Sequence, residues 1–194
     1  MTTNGITMVV CSIPQRTEML HRALRTVTDQ TLLPENIIVS YDFEGLGHAG
    51  NRNKAVEMVT TEWTAFVDDD DYLLPHHLQT LYDTALTTGA DLVYPWHIIL
   101  DRDGNQIPDI LHHPDVFEED RLRRNNYIPV TLLVKTAALR AVGGFPTPGP
   151  GEMWRNCEDF GCWVRLLDAG YKFVHANEVT WIWNHWGGNT SGHV

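Results

Sequence analysis

Four consecutive aspartates at positions 68–71 directly follow an apolar segment at positions 64–67. Unit charges about 4 Å apart repel by about 4 kcal/mol at an effective dielectric of about 20, so a bound cation would relieve this crowding. Magnesium-type ions are commonly held by one or two carboxylates together with substrate phosphates. The run therefore predicts a divalent metal and diphosphate site. The alternative is a solvated loop whose last Asp caps the next helix.

The elements that position this run lie in the first half of the chain, where segments typical of strands alternate with segments typical of helices. Apolar segments predict strands at 6–11, 37–41, 63–67 and 90–94. Helical spacing of apolar residues, together with Gly and Pro signals, predicts helices around 20–27, 51–59 and 75–87. This order predicts an α/β fold with a mainly parallel sheet and helices on both faces.

The second half has a different pattern. We expect a turn at 101–104 between two short strands, a short helix around 116–124 and a strand at 130–134. The Pro- and Gly-rich segment 145–151 predicts a substrate loop. Phe160, Trp163, Val164 and Leu167 recur at helical spacing before Gly170, which places Trp163 in the core.

Composition excludes several classes of protein. The chain has 194 residues, 43% of them hydrophobic, which suits one globular domain over 1–194. No apolar stretch reaches the roughly 20 residues of a membrane span and no signal pattern is visible, so we expect a cytoplasmic protein. A net charge of −11 argues against nucleic-acid binding. Cys11, Cys157 and Cys162 suggest a reduced compartment.

Three groups of candidate site residues follow the first three predicted strands. They are Ser12, Ile13, Pro14, Gln15 and Arg16 after the first strand, Asp42 after the second and the aspartate run after the third. Ligands of open α/β sheets bind at the carboxyl ends of the strands. We therefore expect these groups to converge on one site, although Asp42 alone could be a turn former and Arg16 a solvated residue.

The loop Gly45-Leu46-Gly47-His48-Ala49-Gly50 offers a competing hypothesis. It matches G-x-G-x-x-G, precedes a predicted helix and has Asp68 about 20 positions later, as in dinucleotide-binding oxidoreductases that use NAD(P). The fingerprint requires its first Gly in the turn that leaves the strand, yet residues 42–44 intervene. It also gives no role to the other three aspartates of the run. A phosphatase using Asp68 and Asp70 is disfavoured by Tyr72, where that motif has Thr or Val.

Several segments in order resemble the family 2 nucleotide-sugar glycosyltransferases, and the likeness covers nearly the whole chain. The matching segments are 12–16, Gly50-Asn51-Arg52-Asn53, Val67-Asp68-Asp69-Asp70-Asp71, Gly143-Gly144-Phe145 and Glu158-Asp159 with the helix that follows. The resemblance implies a GT-A fold, Rossmann-like with a small antiparallel portion on the acceptor side. Residues 1–100 would bind the nucleotide sugar, and residues 101–194 would bind the acceptor and carry the catalytic base.

The resemblance also implies a reaction and residue roles. The activity would be metal-dependent, inverting transfer from a nucleotide-diphosphate sugar, with UDP-sugar expected, to a carbohydrate, lipid or protein hydroxyl. Asp159 would be the catalytic base beside Glu158, and Asp70 with His185 would bind Mn or Mg. The nucleotide-sugar residues would be Ser12, Ile13, Pro14, Arg16, Asp42, Arg52, Asn53, Asp68 and Asp69. A base-contacting carboxylate of the family is replaced by Tyr41, which leaves the base open.

The remaining aromatic residues and histidines are assigned from their positions. Trp154, beside the Pro- and Gly-rich loop, and Trp186 are candidates for stacking on acceptor sugars. His76 and His77 are expected on a helix surface and His112 and His113 in a loop, since neither pair has zinc-site spacing. A non-catalytic carbohydrate-binding module stays open as a third class, and a homodimer is one option for the oligomeric state.

Overall fold

The computed structural model describes residues 4–108, 115–147 and 157–185. Within these residues eight strands form one sheet: β1 (Ile6–Ser12), β2 (Asn36–Tyr41), β3 (Trp63–Asp68), β4 (Tyr72–Leu73), β5 (Leu92–Leu100), β6 (Gln106–Ile107), β7 (Leu133–Lys135) and β8 (Phe173–Asn184). The strand order is β2-β1-β3-β7-β5-β8-β4, and β6 pairs with β5. Strands from both halves of the sequence therefore share one sheet.

Helices cover both faces of the sheet. The described helices are α1 (Thr17–Thr28), α2 (Gly47–Met58), α3 (His77–Thr88), α4 (Glu119–Leu122), α5 (Thr136–Ala141) and α6 (Glu158–Asp168). On one face, α1 and α3 bury Leu20 and Leu81 in a cluster with residues of β1, β3 and β5. On the other face, α2, α5 and α6 bury Val56, Leu139 and Trp163. The α/β fold class with helices on both faces is thus confirmed, and so is the core position of Trp163.

The sheet is mostly parallel, with short antiparallel pairings. The longest pairings, β1 with β2, β1 with β3 and β5 with β8, are parallel. The three-residue strand β7 lies between β3 and β5 and is antiparallel to both. The sequence predicted β7 as a strand but gave no sign of its direction, because an apolar run of this length indicates burial and not orientation.

Several elements differ from the sequence-based expectation. Helix α2 begins at Gly47 instead of about residue 51, and the short helix α5 was not predicted. Strand β5 extends beyond residue 94 to Leu100, and its register with β8 is irregular between Tyr94 and Trp96. Pro95 lies at this irregularity, where its missing N–H costs no regular ladder hydrogen bond.

The prediction that His77 lies on a helix surface is wrong. The side chain is fully buried, and its Nδ1 is 2.8 Å from the Thr180 hydroxyl of β8. Burial is the main cause that lowers the pKa of His77, to about 3, and the neighbouring His76 adds to the shift. His77 is therefore a neutral residue that connects α3 to β8. The pair His112 and His113 lies outside the described residues.

Candidate active site

Parallel pairing brings the three predicted polar groups together. Ser12 pairs with Tyr41, and Cys11 pairs with Asp68, so β1, β2 and β3 end at the same edge of the sheet. A cleft of about 180 Å³ opens at this edge. Seven of the predicted site residues line it: Ser12, Ile13, Arg16, Asp42, Asp68, Asp69 and Asp70. The residues predicted to converge at the strand ends therefore do lie together, in a concave surface.

The aspartate run divides into buried and accessible members. Asp69 and Asp71 are each 3% exposed, whereas the Asp68 side chain is 37% exposed. Asp69 accepts hydrogen bonds from the Ser12 hydroxyl at 2.6 Å and from Arg16 Nη1 at 3.0 Å. Its charge is therefore compensated within the protein, and Asp69 supports the cleft wall.

Asp71 faces the protein interior. Its Oδ1 accepts the backbone N–H of Asn184 at 3.0 Å, while the Asn184 side chain donates to the Asp70 carbonyl at 2.7 Å. Burial, and then the charges of Asp70 and Asp68, raise the pKa of Asp71 well above its usual value. Asp71 thus joins the run to Asn184 at the end of β8, the residue before His185.

Arg16 bridges two carboxylates on the floor of the cleft. Its Nη1 lies 3.0 Å from Asp69 and 3.2 Å from Asp70. The short 3₁₀ helix Pro14–Arg16 positions this side chain directly after β1. Arg16 thus places a cation beside Asp70, whose side chain is 10% exposed. Pro14 starts this turn and is exposed, but it is not among the lining residues.

Arg52 is the buried cation of the site. It is 4% exposed, its Nη2 lies 2.7 Å from Asp68, and its Nη1 contacts Glu158 at the start of α6. Burial opposes the charged form, but the Asp68 and Glu158 carboxylates outweigh it and raise the pKa of Arg52. Arg52 therefore joins the strand-end cleft to α6 through two ion pairs.

Glu158 and Asn53 both make contacts within the protein. Glu158 is 9% exposed and contacts Arg52, so its carboxylate is engaged in an ion pair. Asn53 exchanges two hydrogen bonds of 2.8 Å with the backbone of Phe145. A Cβ on Gly144, whose φ is +68°, would lie 2.3 Å from the Asn53 oxygen. Asn53 thus holds the Gly143–Phe145 turn in place.

Asp159 lies in the first turn of α6, beside this network. Its Oδ1 accepts hydrogen bonds from Asn126 Nδ2 at 3.1 Å and from the Phe160 N–H at 2.7 Å. Burial, followed by the charge of Glu158, raises its pKa to about 6, against opposition from Arg52. A carboxylate with a pKa near the working pH is suited to general base catalysis.

Asp42 organises the glycine-rich loop. Its two carboxylate oxygens accept the backbone N–H groups of Leu46 and Gly47, each at 2.8 Å. Slight burial would raise the pKa of Asp42, but these hydrogen bonds lower it. In a dinucleotide-binding loop such N–H groups would bind a pyrophosphate. Here a carboxylate of the chain already occupies them, which argues against the oxidoreductase hypothesis.

The remaining lining residues were not predicted as site residues. They are Cys11, Gly47, His48, Asn51 and Trp183. Asn51 connects β2 to α2, since it accepts from the Ser40 hydroxyl at 2.7 Å and donates to the Ser40 carbonyl at 2.9 Å. Trp181 and Trp183 are two positions apart on β8, and the fold shows that Trp183 reaches the cleft while Trp181 is buried. Trp154 and Trp186 lie outside the described residues.

The donor atoms of the cleft fit a hard divalent cation. Among the described residues, no three His, Cys, Asp or Glu side chains form a preassembled metal centre. Mg²⁺ and similar ions need only one or two carboxylates when substrate phosphates complete the coordination. Asp70 and the exposed Asp68 provide such oxygens. The ring of His185 packs edge-on to that of Trp183, with centroids 5.8 Å apart.

Comparison with known proteins agrees with this geometry. The family model described as glycosyl transferase family 2 matches residues 31–142, so the chain belongs to that family. The uncharacterized glycosyltransferase MJ1057 of Methanocaldococcus jannaschii is 24% identical over 143 residues, which are 72% of this chain and 47% of the relative. The putative teichuronic acid biosynthesis glycosyltransferase TuaG of Bacillus subtilis is 24% identical over 147 residues, 75% of this chain and 56% of TuaG.

Solved structures show the fold. The crystal structure of S. aureus TarS 1–349 in complex with UDP-GlcNAc superposes with a TM-score of 0.73 at 15% identity, covering 97% of this chain and 61% of that one. The complex of the same TarS segment with UDP gives a TM-score of 0.64. The fold is therefore that of the GT-A glycosyltransferases. This chain spans about half the length of the curated relatives. No helix in its described ranges is long and apolar enough to cross a membrane.

Proposed function

We propose that the chain is a metal-dependent inverting glycosyltransferase that moves a sugar from a nucleotide-diphosphate donor, with a UDP-sugar expected, to an acceptor hydroxyl. The observation that carries the proposal is the convergence of Asp68, Asp70 and Arg16 with Asp42 in one cleft at the strand ends. Family membership and the UDP-containing TarS complexes support the donor class.

The donor would bind across the ends of β1, β2 and β3. Asp42 and Arg52 lie toward the nucleoside, Asp68 toward its ribose, and Asp70 with His185 toward the diphosphate. A divalent ion held by Asp70 would stabilise the negative charge that develops on the leaving diphosphate. Arg16, already 3.2 Å from Asp70, supplies a second cation for the same phosphates.

The acceptor would approach from the side of α6. Its hydroxyl oxygen attacks the anomeric carbon as the bond between that carbon and the diphosphate oxygen breaks. Asp159 takes the hydroxyl proton, and the diphosphate leaves with the bonding electron pair. One displacement from the opposite face inverts the anomeric centre. Glu158 and Arg52 keep this carboxylate next to the donor site. The acceptor is a hydroxyl of a carbohydrate, lipid or protein.

The donor assignment is tested by ligand-dependent thermal unfolding. UDP with Mn²⁺ should raise the melting temperature, because a ligand at 100 times its Kd stabilises the folded state by about 2.7 kcal/mol. Asp70→Asn should weaken metal-dependent UDP binding at least about tenfold, since loss of even a partner of a metal ligand costs 10–100-fold. Asp29→Asn, an exposed aspartate at the end of α1, is the matched control and should bind normally.

Two results would contradict this assignment. If Asp70→Asn bound UDP with Mn²⁺ as tightly as the wild type does, Asp70 would not be a ligand of the metal. A stabilisation by NAD(H) in the absence of any response to UDP would favour the oxidoreductase hypothesis instead.

A further inference from the structure

We propose that Asn126 is the positioning residue of the catalytic base: it holds one oxygen of Asp159 so that the other faces the acceptor hydroxyl. This inference rests on the proposed function, in which Asp159 accepts the proton. Asn126 lies outside the segments that carry the family resemblance, 33 positions from Asp159. Its role is visible only in the folded chain.

The hydrogen bonds of Asp159 are asymmetric. Asn126 Nδ2 and the Phe160 N–H both donate to Oδ1, at 3.1 and 2.7 Å. Over the ranges that the structure describes, no hydrogen bond to Oδ2 is found. Two donors on one oxygen fix the plane of the carboxylate, so that Oδ2 keeps its lone pairs for an incoming proton.

Asn126 is itself held rigidly against α6. The next residues, Tyr127 and Ile128, are 2% and 1% exposed. The Ile128 carbonyl accepts a hydrogen bond of 3.2 Å from the indole of Trp163, which lies one helical turn after Asp159. The Tyr127 hydroxyl donates to the Glu118 carbonyl at 3.0 Å. Asn126 is thus oriented by anchored neighbours, which is what a precise positioning group requires.

The amide of Asn126 has one orientation that suits an ionised partner. Its Nδ2 faces the carboxylate, while its Oδ1 is buried and finds no hydrogen-bond partner in the described chain. A buried acceptor without a partner is costly, so such groups are typical of sites where a ligand or water completes the bonding. The Oδ1 atom beside Asp159 offers an acceptor for a second hydroxyl of the incoming molecule or for a water.

The hydrogen bond from Asn126 also favours the ionised form of Asp159. The other titratable and charged groups around this carboxylate are Glu158, Arg52, Cys157 and Cys162. Glu158 and burial oppose ionisation, whereas Arg52 and Asn126 promote it. Removing the amide donor should therefore move the titration of Asp159 upward.

The experiment combines carboxyl ¹³C NMR titration of Asp159 with the pH dependence of kcat in the full chain. In Asn126→Leu, which has similar size and no donor, the pKa of Asp159 should rise by about one unit, which lowers the ionised fraction at pH 6 about fivefold. The deficit in kcat should shrink as pH rises through the new pKa, and UDP affinity should stay unchanged. A purely structural role would lower kcat equally at every pH.

Asn125→Leu is the matched control, because Asn125 is the exposed neighbour, and it should titrate like the wild type. Asn126→Asp keeps the shape of the side chain and places a second carboxylate beside Asp159, so it should raise the pKa of Asp159 further. This variant replaces Asn126→Leu in the experiment if Asn126→Leu does not fold. An unchanged pKa of Asp159 in a folded variant would overturn the proposal. A shifted pKa in a chain without transferase activity would support the positioning role and overturn the proposed function.

Discussion

Replacing Asp159 by Asn is expected to lower the rate of sugar transfer by about 10²–10⁴-fold, the usual contribution of a general base. UDP affinity should stay unchanged, because no described contact joins Asp159 to the cleft aspartates directly. Asp168→Asn, at the other end of α6 and paired with Arg123 at 2.7 Å on the surface, is the matched control and should keep its activity. Steady-state kinetics together with UDP calorimetry measures both quantities.

The same substitution should stabilise the fold above pH 6. The pKa of Asp159 is raised from 3.8 to about 6 in the folded chain, so the folded state binds this proton more tightly than the unfolded state. Ionisation therefore costs stability, which falls as pH rises from about 4 to about 6 and then stays constant. Two pKa units correspond to up to about 3 kcal/mol, which Asp159→Asn should recover at pH 8. Retained turnover, or lower stability at pH 8, would contradict this role.

Replacing Arg52 by Met should destabilise the chain by about 3–5 kcal/mol, since removal of one partner leaves buried charges uncompensated. Arg52 is 4% exposed and ion-paired to both Asp68 and Glu158. For a chain of this size the loss corresponds to a fall in melting temperature of about 10 °C. Chemical denaturation followed by circular dichroism gives the free energy of unfolding directly.

Lys54→Met provides the matched control on the same helix. Lys54 pairs with Glu44 at 3.1 Å, but both side chains are largely exposed, so the pair is worth at most about 1 kcal/mol. If the two substitutions had similar effects, the Arg52 pairs would not join α2 to α6 as described.

The amino-acid sequence was sufficient for the part of the site that lies on adjacent parallel strands. The ends of such strands coincide wherever the strands pair, so the strand pattern alone places Ser12, Asp42 and Asp68 together. Contacts between distant segments leave no such pattern. Arg52 and Glu158 are 106 positions apart, and no local pattern in the sequence indicates their ion pair.

Residues that look equivalent in the sequence also differ in how deeply they are buried in the fold. The four aspartates look equivalent in the sequence, yet Asp69 and Asp71 are buried and bonded while Asp68 is accessible. His76 and His77 are adjacent, but only His77 is enclosed between α3 and β8. Which way a side chain faces depends on packing against other elements, and a local pattern does not contain this information.

The most direct test of the proposed function is a crystal structure with UDP and Mn²⁺ bound, with the manganese located from its anomalous scattering. We expect the ion on Asp70 and the diphosphate at the ends of β1 and β3, with Arg16 turned toward the phosphates. A nucleotide bound elsewhere, or an ion without any ligand from the aspartate run, would contradict the account.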